Sequence, residues 1–274
     1  MAMPDLQITY IGGPTALVDL AGARFLTDPT FDPGGTDYPT PVYTLHKTQS
    51  PAVDPAGLGR VDAVLLSHDH HFDNLDHAGR TLLEQIPAVY TTRAGAERLA
   101  GRAVGLTAWE TVEYPSPTGS ISITAVPARH GPPDGDRGPV IGFVLTGPGR
   151  TGPAVYFSGD TVWYEGVQQV AARFDVAVAL LNLGAAKVAV AGPAPVTFTA
   201  AEAVLLAQAW PHTLIVPLHF EGWTHFTEGA REIATAFADA GLTSRLRWPE
   251  RGRPTRLGNA PEGGARRGEK PAVA

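Results

Sequence analysis

Apolar residues fall in short runs cut by turn chemistry, and the period of each run predicts its element. Residues 6–11 (LQITYI) alternate in part and stop at Gly12-Gly13-Pro14. Residues 15–20 and 24–27 flank Ala21-Gly22-Ala23, the pattern of a hairpin. Further strands are predicted at 62–67 (DAVLLS), 88–92, 120–128 (SISITAVPA), 140–146 (VIGFVLT), 154–158 (AVYFS), 176–183 (VAVALLNL) and 213–218 (TLIVPL). Continuous apolar runs of this length mark strands covered on both faces. Helices are predicted over 75–85, 94–100, 163–174, 199–210 and 227–240. Thr199 with Glu202 three residues on is a capping box, and Gly241 ends the last helix. No fixed-period repeat is visible, so a solenoid is excluded. Strands come in two groups, each followed by helices. The expected architecture is α/β, two sheets face to face with helices outside, a four-layer αββα sandwich.

Two segments stand outside this pattern. Residues 28–59 are rich in Pro, Gly, Asp and Thr, long for a loop, and are expected to fold over a site as a lid. His46 and Lys47 are the basic pair within it and could meet a substrate anion. After Leu257 the chain turns to Gly, Ala, Arg, Glu and Pro. Residues 258–274 are therefore expected to be a disordered tail, and 1–257 a single domain.

Composition narrows the chemistry. The 274 residues carry 27 acidic and 21 basic side chains, a formal charge of −6, which disfavours a nucleic-acid partner. No apolar run approaches the roughly 20 residues that span a bilayer. The start lacks a basic segment followed by an apolar one, so no secretory leader is expected and the cytoplasm is the expected compartment. There is no cysteine, which excludes disulfides, thiolate metal sites and a cysteine nucleophile. Carboxylate, hydroxyl and nine histidines remain.

Those histidines are placed unevenly. DAVLLS is followed by His68-Asp69-His70-His71-Phe72-Asp73-Asn74, SISITAVPA by Arg129-His130-Gly131, AVYFS by Gly159-Asp160-Thr161, and TLIVPL by His219. Loops beyond strand ends collect at one edge of a layered α/β fold, where sites form. A lone His130 or His219 at a strand end is more often a satisfied polar residue, and a lone Gly-Asp-Thr is more often a turn. Three histidines and two aspartates within six residues have no packing rationale, and imidazole with carboxylate suits zinc, iron or manganese. Beside that cluster, the other strand-end residues read as ligands too. Glu221 and His77 read as surface or helix residues. His225 reads slightly more as a helix-start residue than as a group facing substrate, and Trp223 and Phe226 as pocket wall or core.

The order of these groups resembles the metallo-β-lactamase superfamily, over almost the whole chain from Ile8 to about Leu246. Tyr10-Ile11-Gly12-Gly13-Pro14-Thr15, Leu26-Thr27-Asp28-Pro29, Ser67-His68-Asp69-His70, Val216-Pro217-Leu218-His219 and Gly222-Trp223 look most like the branch containing L-ascorbate-6-phosphate lactonase. The resemblance implies an αββα sandwich with one or two divalent ions at the sheet edge, zinc first, manganese or iron as alternatives. It implies hydrolysis of a small-molecule ester, lactone or phosphodiester by a metal-bound hydroxide, with Asp73 or Asp160 handling its proton.

The superfamily pattern His-x-His-x-Asp-His does not fit without adjustment, because one extra residue delays the aspartate and Asn74 stands where the last histidine belongs. The carry-over assigns His71 and Asp73 their family roles, His68 the first position and His70 a spare or supporting one. It makes His130 a ligand of the first ion, Asp160 a bridge and His219 a ligand of the second. The second ion's site is the one that Asn74 puts in question. A single-iron oxygenase and a non-catalytic metal-binding member of the fold are the alternatives. Because the family often assembles, a homo-oligomer is compatible with the sequence.

Overall fold

Alternation along the first hairpin decides which layer each side chain joins. In β1 (Gln7–Gly12), β2 (Thr15–Leu20) and β3 (Ala23–Thr27), residues Ile8, Tyr10, Val18 and Phe25 enter one core cluster, while Ile11, Leu17 and Leu26 enter another. The protein was analysed as a computed structural model that describes residues 6–134, 137–150 and 154–257. The tail expected at 258–274 lies outside the described residues.

The chain continues through the short hairpin β4 (Asp37–Pro39) and β5 (Thr44–His46) to β6 (Ala63–Leu65), α1 (His77–Leu83), β7 (Val89–Thr92), α2 (Arg93–Leu99) and β8 (Ala103–Leu106). The second half runs β9 (Thr111–Ser116), β10 (Gly119–Pro127), β11 (Ile141–Thr146), β12 (Ala154–Phe157), α3 (Glu165–Arg173), β13 (Val176–Asn182), α4 (Ala200–Ala209), β14 (Leu214–Leu218), α5 (Ala230–Asp239) and β15 (Pro254–Arg256). One sheet has the order β15-β1-β2-β3-β6-β7-β8, the other β14-β13-β12-β11-β10-β9.

Both sheets follow one plan. Each begins with antiparallel neighbours and ends with parallel strands, β3, β6, β7 and β8 in the first and β12, β13 and β14 in the second. These are joined by helices except for β3 and β6, which the β4–β5 segment connects. Parallel strands need crossovers, and the crossover helices cover the outer faces. Leu82 and Leu83 of α1 pack with Val64 and Leu66 on one outside. Val167 and Val170 of α3, Leu206 of α4 and Phe237 of α5 are buried on the other side. Between the sheets, Ile8, Val18, Phe25 and Leu65 share a cluster with Ile123, Phe143 and Leu180. This is the four-layer αββα sandwich that the pattern predicted.

The differences lie at the edges. β8, β9 and β15 are edge strands with no sequence prediction, and β15 (PTR) is paired only through Gln7–Thr9 of β1. An edge strand needs to be apolar on one face at most, so its period carries little signal. The predicted helix over 227–240 begins at Ala230, because Gly229 is extended and serves as its N-cap, its N–H taken by the Glu232 side chain. Within the predicted lid, the β4–β5 hairpin is ordered by its own small core, Tyr38, Leu45 and Trp223. No helix among the described residues is long and apolar enough to cross a membrane.

Candidate metal centre

The parallel strands aim their C-terminal ends at one edge, and the candidate residues meet there. His68, His71 and Asp73 follow β6, His130 follows β10, Asp160 follows β12 and His219 follows β14. Two turns make the approach close. Gly159 has φ +57°, and a Cβ there would lie 2.6 Å from Ser67 Cβ, so only glycine lets the Asp160 loop pass the histidine loop. His219 has φ +53°, a left-handed conformation unusual for a non-glycine residue. It is held by its N–H donating to Gly13 O at 2.7 Å.

The side chains form two triads. His68, His71 and His130 are one, and Asp73, His219 and His225 the other; within each triad the potential ligand atoms lie within 4.8 Å of one another. His71 Nδ1 is 2.9 Å from His68 Nε2 and 3.2 Å from His130 Nε2. Asp73 Oδ2 is 3.0 Å from His225 Nε2 and 3.4 Å from His219 Nε2. Asp160 lies between them, with Oδ1 3.0 Å from His219 Nδ1 and Oδ2 3.5 Å from His130 Nε2.

The hydrogen bonds behind the first triad assign its protons. His130 Nδ1 lies 2.7 Å from the Val196 carbonyl, which can only accept, so Nδ1 carries the proton and Nε2 a lone pair. Ser67 Oγ donates to Asp28 at 2.7 Å, and therefore accepts from His68 Nδ1 at 2.9 Å. His68 Nε2 then also carries a lone pair. Two lone pairs face His71 Nδ1, which has at most one proton to offer. Burial lowers all three histidines towards the neutral form, His68 to about 3, aided for His68 and His71 by neighbouring histidines. A neutral imidazole with its outer nitrogen committed to a carbonyl or hydroxyl is the form that ligates a metal.

Around the second triad, Asp160 and His219 are charged. Burial alone would raise the Asp160 carboxyl, but His219, then His130 and His68, overcome it and hold Asp160 far below the usual range. Burial opposes a charge on His219, yet Asp160 and Asp73 push it up to about 10. Asn182 Nδ2 donates to Asp160 Oδ1 at 2.8 Å and fixes the carboxylate. Asp160 Oδ2 and His219 Nε2 are buried with no hydrogen-bond partner. Buried polar atoms are costly to leave unpaired, and the proton that Asp160 and Asp73 hold on His219 is one that a bound cation would displace. A divalent ion fits this N/O donor set.

Not every expected residue reaches the site. His70, expected as a metal ligand or its support, is in neither triad: its exposed ring turns outward, with Nε2 2.9 Å from Arg137 O. With the extra residue in the loop, His68 and His71 take one triad and His70 is looped out between them. Lys47 does not face substrate either; it is 4% exposed and its Nζ pairs with Asp76 Oδ2 at 2.8 Å. His46 pairs with Asp37 at the surface. Trp223 is core, under Lys47, while Phe226 packs edge-on against His219 at 4.8 Å. Asn74 turns to Asp28 Oδ2 (2.9 Å) rather than to Asp73.

Tyr43 and Arg137 had no role in the sequence analysis, and Asp28 entered only within a motif. His225, expected slightly more as a helix-start residue than as a group facing substrate, lies five residues before α5 with Nε2 at Asp73. Asp28 accepts from Ser67 N, Ser67 Oγ and Asn74 Nδ2, which pull its carboxyl down, but burial outweighs them and pushes it up to about 7. Tyr43 and Leu45 of the β4–β5 segment and Arg137 line the pocket above His71, Asp73, His130 and His225. Arg137 Nη2 donates to the Tyr43 hydroxyl at 3.1 Å.

Comparison with known proteins identifies the family. Residues 23–220 match the family described as the beta-lactamase superfamily domain, and the chain belongs to that superfamily. It is 26% identical over 259 residues to the UPF0173 protein YddR of Bacillus subtilis (strain 168), covering 90% of this chain and 98% of YddR. It is 26% identical over 226 residues to a UPF0173 metal-dependent hydrolase of Pyrobaculum aerophilum, covering 78% and 84%. The isothiocyanate hydrolase from Delia radicum gut bacteria superposes with a TM-score of 0.79 at 22% identity, covering 92% of this chain and 99% of that one, and so shares the fold.

Proposed function

We propose that the protein is a metal-dependent hydrolase of a small-molecule ester, lactone or phosphodiester. The observation that carries this is the convergence of His68 Nε2, His71 Nδ1 and His130 Nε2, with the outer nitrogens of His68 and His130 committed elsewhere. Asp160 Oδ2 completes the set. Three imidazoles and a carboxylate suit zinc, with manganese or iron as alternatives. When bound, a divalent ion would polarise the scissile bond and bring the pKa of a water towards about 7.

The chain's own residues supply the rest. Asp73 is a buried carboxylate lining the pocket and Asp160 a buried carboxylate behind His130 and His219, and either would accept a proton from the attacking water and return it to the leaving group. Val188 and Val196 form an apolar wall. Tyr43 and Arg137 line the same pocket with a hydroxyl and a guanidinium, which favours a substrate carrying an oxyanion such as a carboxylate or phosphate.

The test is a metal analysis followed by a substrate panel. Protein purified without a histidine tag or chelator should carry a divalent ion, and a panel of lactones, esters and phosphodiesters should reveal chelator-sensitive turnover. His71→Ala and His130→Ala should lose first-site metal and turnover together. Wild-type protein that stays metal-free after expression in zinc, manganese or iron overturns the proposal.

A further inference from the structure

The superfamily pattern places a histidine directly after the aspartate of the histidine loop, and this chain has Asn74 there. The Asn74 side chain is fully buried and donates to Asp28 Oδ2 at 2.9 Å. The position beside Asp73 is nevertheless filled. His225 Nε2 stands 3.0 Å from Asp73 Oδ2, and His219 Nε2 stands 3.4 Å from the same oxygen.

His225 reaches that place on a segment pinned from several directions. Its carbonyl accepts from Lys187 N at 3.0 Å. One residue before it, Thr224 N donates to His46 O at 3.2 Å. Two and three residues after it, Thr227 N and Glu228 N both donate to Gly184 O, at 2.9 and 3.0 Å. Trp223 bridges to Lys47, whose ammonium is in turn tied to Asp76. The Phe226 ring lies 4.5 Å from the His225 ring and 4.8 Å from that of His219, and packs against both imidazoles. His225 is thus held against Asp73 by backbone bonds on either side of it to two separate segments, residues 46–47 and 184–187.

A ligand is indicated independently. His219 Nε2 and Asp160 Oδ2 are fully buried and lack any hydrogen-bond partner. A buried imidazole nitrogen 3.4 Å from a carboxylate oxygen, with a second imidazole 3.0 Å from the same oxygen, is a donor set that a divalent ion would complete.

We infer that His225 is a metal ligand that takes the place of the histidine missing at position 74. It completes a second site with Asp73 and His219, and Asp160 sits between the two sites. The inference rests on the metal-dependent reading above and goes beyond it, because a hydrolase with one ion in the three-histidine site would need nothing from His225. The replacement moves a ligand by some 150 residues along the chain while keeping the donor chemistry, one carboxylate and two imidazoles, that a second ion requires.

The experiment is metal counting on the full chain, with cobalt substitution as a second readout. Each protein is stripped, reloaded with zinc, freed of excess ion by gel filtration and assayed for metal per chain. Cobalt loading is followed by the visible ligand-field bands. Wild type should retain about two equivalents, and His225→Ala and His71→Ala about one each, with different cobalt spectra because different sites remain. Circular dichroism and urea midpoints on the same samples establish folding. His225→Gln serves if the alanine variant does not fold. A folded His225 variant that keeps both ions at wild-type affinity overturns the inference and leaves the hydrolase reading intact. A wild type that holds one ion, unchanged in the His225 variant, does the same. A wild type that holds none overturns both.

Discussion

Asp28→Asn tests whether a buried carboxylate sets the proton on a metal-facing histidine two residues away in space. Asp28 Oδ1 accepts from Ser67 N at 2.7 Å, and Oδ2 accepts from Ser67 Oγ at 2.7 Å and Asn74 Nδ2 at 2.9 Å. An asparagine keeps one oxygen and replaces the other with an NH2 group. If its oxygen stays on Ser67 N, its amide nitrogen faces two former donors. Ser67 Oγ must then accept from it, and turns its own proton towards His68 Nδ1. The His68 proton moves to Nε2 and occupies the lone pair that faces His71. Loss of a supporting partner of this kind costs metal affinity roughly 10–100-fold, or about 1.4–2.7 kcal/mol. The metal-free protein should also lose stability, because Asn74 Nδ2 is left a buried donor without its acceptor, a cost of about 1–3 kcal/mol. Relief from burying the carboxylate offsets part of that loss. The assay is competition for zinc against a chromophoric chelator, with urea denaturation of the stripped protein alongside. Ser67→Ala removes the relay by itself, so the double variant should be weaker than wild type by less than the two single effects combined. Asp28→Asn with zinc affinity within about twofold of wild type, or strictly additive effects, would refute the relay.

Two further substitutions test how the framework holds the site. Lys47→Met leaves Asp76 charged and buried, with only the Asp32 and Gly79 N–H groups for company. It should cost about 3–5 kcal/mol in urea denaturation, and a loss under about 1 kcal/mol would show the pair to be dispensable. Glu232 caps α5: its carboxylate is held down to about 2, first by Gly229 N–H and then by Arg231. The folded pKa is depressed, so this stabilisation is present above the usual value of about 4.3 and is lost as pH falls towards 2. Glu232→Gln should flatten the acid limb of the stability profile across that window, and an unchanged slope would contradict the cap's contribution.

Much of the fold and part of the site were legible in the order of residues. The αββα sandwich follows from apolar runs such as 62–67 and 176–183, because period and length report burial directly, whatever partner provides it. His68, His71, His130, Asp160 and His219 were legible because each follows such a run, and strand ends of one sheet meet at one edge. What local pattern does not carry is the choice among nearby groups of one chemistry. His70 and His71 are neighbours in sequence; the extra residue in the loop sends one ring outward to Arg137 O and the other inward. Lys47 looks like a surface cation, and becomes a buried strut because Asp76 lies opposite it.

The sequence alone therefore determined the layers, the sheet edge that carries the chemistry, and a site of nitrogen and oxygen donors without sulfur. The tertiary structure alone decided which donors converge. Asn74 turns to Asp28, and His225, some 150 residues further along, stands beside Asp73. The physical reason is that a ligand set is a matter of distances among side chains on different loops. Those distances are set by turns, such as the left-handed one at His219 and the close pass at Gly159, and by buried hydrogen bonds that must all be satisfied at once.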